Sequence, residues 1–156
     1  MDLTRVLTLS IALACSALPA AMAAPPARQA SADCSVRVVD GWVRQPPVSM
    51  PMLAGFGRIE NPCREARVVV GVRSDAFADV SLHETRIVDG VSRMRSVPRL
   101  TVPAGGSVEL QPGGLHLMLM QPRGALEAGD SIEVVLELEG GQTRAAGFEL
   151  RASTGR

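Results

Sequence analysis

Residues Thr85–Met94, TRIVDGVSRM, decide the fold. Asp89-Gly90 stands between Thr85-Arg86-Ile87-Val88 and Val91-Ser92-Arg93-Met94. An Asp-Gly pair between two extended runs suits the tight turn of a β-hairpin, and it is the best such signal in the chain. The same pattern continues in both directions. Short apolar or alternating runs occur at Val36–Arg44, Leu53–Glu60, Arg67–Val72, Val80–Val88, Ser107–Leu110, Leu115–Gln121, Ser131–Leu138 and Arg144–Leu150. Turn-forming clusters separate them, among them Gln45-Pro46-Pro47, Asn61-Pro62, Pro112-Gly113-Gly114 and Gly140-Gly141. Helical periodicity is missing after the first 23 residues. Strands at such intervals predict a single all-β domain, a sandwich or barrel.

The hairpin lies between the chain's two histidines, His83 and His116. With two methionines they form the pattern H-x10-M-x21-H-x-M: His83, Met94, His116 and Met118. Side chains alternate faces along a strand, so His116 and Met118 point the same way while Leu115, Leu117 and Leu119 face the core. The hairpin would return Met94 alongside the strand that carries His83. Val102–Gly106 reads as a turn in the connection back to His116. Imidazole and thioether together suit Cu(I), whereas hard ions such as Mg²⁺ and Ca²⁺ ignore thioethers. A single histidine or methionine in a β-domain usually packs or faces solvent. Four of them at set spacings make one metal site the stronger reading.

The neighbouring residues read more plainly. Met120 shares the strand face of Met118 and lines the site or packs, an outer ligand being the alternative. Met50 and Met52 read as residues of a mobile Pro-rich loop, an entry role being the alternative. Trp42 reads as a core anchor, with shielding of the metal as the role the sequence does not place. Glu84 falls on the opposite strand face from His83, which argues against an acid/base pair. A blue-copper electron carrier needs a thiolate beside two histidines, and no cysteine lies between His83 and Met118. A catalytic zinc site would want carboxylate or thiolate ligands in place of thioethers. There is no G-x-S-x-G elbow. The sequence therefore points away from an enzyme.

The beginning of the chain reads as an export signal over residues 1–23. The apolar run Val6–Leu18 is short for a membrane span, and Ala21-Met22-Ala23 has the small-x-small form of a cleavage site. Cys15 lacks the leucine three residues upstream that a lipidation site needs. The mature protein is expected to be exported, without stable membrane insertion. Residues 24–33 form a Pro/Ala-rich flexible tail, 34–151 the domain and 152–156 a short tail. About 130 mature residues suffice for one core. Net charge is zero and all 16 basic residues are arginine with no basic run, which gives no support for nucleic-acid binding. Cys34 and Cys63 suggest a disulfide in an oxidising compartment.

The stretches SLHETRIVDGVSRM around His83 and Met94, and VPAGGSVELQPGGLHLMLM around His116 and Met118, resemble the PCu(A)C periplasmic copper chaperones. The likeness runs from about Gly41-Trp42-Val43-Arg44 to Gly129-Asp130. It implies a cupredoxin-like Greek-key β-sandwich in the periplasm. It further implies one Cu(I) per monomer, held by His83, Met94, His116 and Met118. The recipient would be the copper-accepting subunit of a haem-copper oxidase, as in cytochrome c oxidase assembly, or another periplasmic copper chaperone. The other function open to such a site is copper homeostasis by buffering or resistance, with Cu(I) sequestered. Some relatives carry a His/Met-rich C-terminal extension; here Arg151-Ala152-Ser153-Thr154-Gly155-Arg156 predicts no second site of that kind.

Overall fold

In the computed structural model, which describes residues 34–153, the alternating runs become ten strands. They are β1 (Arg37–Gln45), β2 (Met52–Asn61), β3 (Arg67–Arg73), β4 (Phe77–Val88), β5 (Val91–Ser96), β6 (Leu100–Val102), β7 (Gly106–Leu110), β8 (Leu115–Pro122), β9 (Ser131–Leu138) and β10 (Thr143–Ala152). No helix occurs among the described residues. The expected leader and Pro/Ala-rich tail lie outside them. The chain is all-β.

One hydrogen-bonded path runs β5-β4-β8-β2-β1-β10-β9-β3-β6, with β7 paired to β2. It curls so that β3, near one end, packs against β4, near the other. The faces turned inward enclose a core that includes Ile59, Val69, Phe77, Leu117, Leu119 and Phe148. Neighbours such as β4 and β8 are distant in the chain and antiparallel, while β1 and β10 run parallel. This order agrees with Greek-key connection.

The β4–β5 hairpin follows its sequence. Asp89 (φ 53°) and Gly90 (φ 76°) are both left-handed, as a two-residue primed turn requires, and Val88 pairs with Val91 across it. Two readings need correction. Val102 is not part of a turn: it closes β6, a strand of three residues, fully buried. Its buried–exposed–buried alternation covers only three residues, too few to mark a strand in the sequence. The turn proper follows, closed by Gly106 N donating to Pro103 O at 3.1 Å.

Trp42 is not a core anchor either. The pairing of β1 with β2 shifts register between Val39 and Trp42, and Asp40 takes φ 52° there. Such a bulge inserts a residue and inverts the alternation beyond it. Before it, Val36 and Val38 pack into the core; after it, Val43 does. Trp42 and Arg44 are thereby turned to the outer face. Gly57 of β2 makes room for the bulge, since a Cβ there would lie 3.0 Å from Gly41 Cα and 3.2 Å from Asp40 O.

Candidate metal centre

The site is built on the outer faces of three adjacent strands, β5, β4 and β8. Register places the side chains in rows across the sheet. His83 of β4 sits directly opposite His116 of β8 on one side and Ser96 of β5 on the other. In the row on one side of it, Thr85 faces Met94. In the row on the other side, Ser81 faces Met118. His83 is therefore the hub, directly across from His116 and diagonal to both Met94 and Met118. Diagonal neighbours lie about 7–8 Å apart, within reach of long side chains. The two imidazole centroids are 6.2 Å apart. All four residues singled out by spacing thus share one face.

Hydrogen bonding leaves each ring a nitrogen for a metal. His116 Nδ1 lies 2.9 Å from Gly114 O. A carbonyl only accepts, so Nδ1 carries the proton and Nε2 keeps a lone pair. At His83, Ser81 Oγ donates to Asp79 Oδ2 at 3.4 Å and lies 3.2 Å from Nε2. With its proton directed at the carboxylate, the hydroxyl accepts from Nε2–H, which leaves Nδ1 as the free base. His83 Nδ1 is buried and has no hydrogen-bond partner. A buried nitrogen without a partner costs free energy, and a soft cation in front of it would remove that cost. Burial chiefly, then the adjacent His116, holds the His83 pKa below its ordinary 6.5, against an opposing pull from Asp79. The ring is accordingly neutral and able to coordinate.

The surroundings are apolar on one side and open on the other. His116 and Met118 are 7% and 8% exposed although they stand outside the core cluster. They form a sheltered floor. Phe56 of β2 covers His116 with ring centroids 6.5 Å apart, and Trp42 lies 4.7 Å from Phe56. The Arg44 guanidinium caps both rings at 5.7 and 5.1 Å. Met94, on the edge strand β5, is 52% exposed. Among the described residues no three His, Cys, Asp or Glu groups cluster to hold a metal. An ion at this face must therefore use thioethers, which suits Cu(I) and not zinc or a hard cation. Glu84 turns to the other face, where Arg86 and then Arg95 hold its carboxyl below the usual range.

Ser81, Asp79 and Phe56 are participants that the sequence does not advertise. Asp79 and Ser81 stand at even spacing from His83 on one strand, which is the one signal that could have found them. Phe56 carries none. Cys34 and Cys63 are bonded, with Cα atoms 5.3 Å apart, and Cys63 lies in the turn after β2.

Comparison with known proteins identifies the family and the fold type. The LpqE-like family model, which describes candidate lipoproteins, matches residues 36–149. Lxx21020, a candidate lipoprotein of Leifsonia xyli subsp. xyli, is 37% identical over 127 residues, covering 81% of this chain and 73% of that protein. Among solved structures, CuI-DR1885 from Deinococcus radiodurans is 27% identical with a TM-score of 0.63, covering 83% of this chain and 88% of that one. The copper-bound PCuAC domain from PmoF2 has a TM-score of 0.62 at 18% identity, covering 77% of this chain and 96% of that one. The fold is of the PCuAC type.

Proposed function

For this chain, which belongs to the LpqE-like family, we propose the role of an exported Cu(I) metallochaperone. The observation that carries the proposal is the His83–His116 pair, flanked diagonally by Met94 and Met118, with His83 Nδ1 buried and unpartnered. The copper-bound PmoF2 domain and CuI-DR1885 support the choice of cargo. One Cu(I) is taken per monomer by two imidazoles and two thioethers. These ligands are neutral, so the ion keeps its single positive charge and is drawn towards an anionic thiolate site in a recipient. Met94, exposed at the edge, is the ligand that leaves first; His116 and Met118, on the sheltered floor, hold longer.

Copper-accepting subunits of respiratory haem-copper oxidases offer such thiolate donors, and a second periplasmic copper carrier is the other acceptor of fitting chemistry. The exposed Met94 favours delivery over sequestration, because a ligand open to solvent is open to exchange. The test is Cu(I) titration of the mature protein against a competing chelator, beside a Met94→Ala/His116→Ala variant. One equivalent held by the wild type and lost by the variant is the expected result. Weak binding indifferent to both substitutions would overturn the proposal. In a deletion strain, lost oxidase activity repaired by added copper indicates delivery, whereas copper sensitivity with intact oxidase indicates buffering.

A further inference from the structure

The outer face carries more soft donors than four ligands account for. One row beyond Ser81 and Met118, the register aligns Asp79 of β4, Met120 of β8 and Met52 of β2. Met52 and Met120 are directly opposite each other, which puts their Cβ atoms about 4.5–5.5 Å apart. Two residues of strand separate this row from Met118, about 7 Å. Both side chains are on the face away from the core: Leu53, Leu117 and Leu119 point inward at the intervening positions and are buried. Met52 is 39% exposed, so packing does not explain a methionine there. The strand ends are clamped, since Gln121 N donates to Pro51 O at 2.6 Å immediately beyond the pair.

We propose that Met52 and Met120 form a second, weaker soft-metal position that passes Cu(I) to and from Met118. This inference rests on the reading of His83, Met94, His116 and Met118 as the primary site. Two thioethers suffice to hold Cu(I) or Ag(I) in low coordination but compete poorly with a set that includes imidazole. Weakness is what a transfer position requires: an ion held there as firmly as in the primary site would not move on. The Asp79 carboxylate stands in the same row on β4 and biases the row towards cations. In the step, Cu(I) keeps its bond to Met118 Sδ while its bonds to Met94 Sδ and the histidine nitrogens break and bonds to Met52 and Met120 Sδ form. No electron changes hands. The track runs from the exposed loop end of β2 inward to the sheltered floor.

The experiment follows methionine methyl resonances by NMR in the full mature chain while Ag(I), a redox-inert soft cation, is added. The first equivalent is expected to move Met94 and Met118, and the second to move Met52 and Met120. A Met52→Leu/Met120→Leu variant should lose the second event, keep the first, and release Cu(I) to a chelator several-fold more slowly. Silent Met52 and Met120 resonances at two equivalents, with Met94 and Met118 moving, would overturn this inference alone. Silence at all four methionines would overturn the primary site with it. An unchanged release rate in the variant would refute the transfer role.

Discussion

The two histidines divide their work by burial and by the atoms they bond. His83 titrates below its ordinary 6.5 because burial disfavours its charged form and His116 lies beside it. Proton and Cu(I) compete for one lone pair, so copper affinity should fall as pH drops through the lowered His83 pKa, below the ordinary 6.5. An affinity that stays flat from about pH 7 to 5 by chelator competition would sink this expectation. The metal-free domain should respond in the same direction. In that window the unfolded chain takes up a proton that folded His83 refuses, so stability declines as pH falls and levels off below the folded pKa. His83→Asn should flatten that dependence in chemical denaturation. The methionines differ too. Met118→Ala removes a buried side chain and should cost about 2–5 kcal/mol. Met94→Leu, exposed at the edge, should leave stability within about 0.5 kcal/mol and speed Cu(I) loss in stopped-flow transfer to a chelator.

Elements turn these residues into a site. The hairpin at Asp89-Gly90 brings Met94 back beside His83 in a register that a one-residue slip would destroy, because a slip sends every side chain to the opposite face. The bulge in β1 acts more remotely. By inverting the alternation it sends Trp42 outward to stack on Phe56, which in turn covers His116. Gly57→Ala tests it, since φ 147° and a Cβ 3.0 Å from Gly41 Cα leave no room for a side chain. Unfolding should show a loss of more than about 1 kcal/mol. The single tryptophan's fluorescence should report the disturbed Trp42–Phe56 contact.

Across the whole molecule, the curled sheet separates stability from chemistry. Leu117 and Leu119 fix β8 to the core while His116 and Met118 of the same strand present the donors. The disulfide belongs to the stabilising side. Cys34 and Cys63 are 29 residues apart in sequence, and closing a loop of that length contributes ~3–4 kcal/mol in the chain-entropy model. A Cys34→Ser/Cys63→Ser variant should lose roughly that much in denaturant while keeping its copper stoichiometry. Export makes a further prediction at this scale. Intact mass of the secreted protein should correspond to a chain beginning at Ala24; a lipid-modified chain beginning at Cys15 would contradict the leader reading and move the protein to a membrane surface.

By itself the sequence determined the fold class and the shared face within each donor pair, His116 with Met118 and His83 with Met94. Both follow from local rules: strand alternation has a period of two, and Asp-Gly forces a tight reversal. His116 and Met118 at i and i+2 needed nothing more, and the hairpin supplied Met94. Tertiary structure alone decided which strands lie side by side, because β4 meets β8 across a connection that no local signal encodes. It also decided that Trp42 faces outward, since the bulge at Asp40 is held by packing against Gly57. The sheltering of His116 by Phe56 and the Met52–Met120 row arise where segments distant in sequence meet. Such meetings are set by the burial of the whole core and not by any one stretch of it.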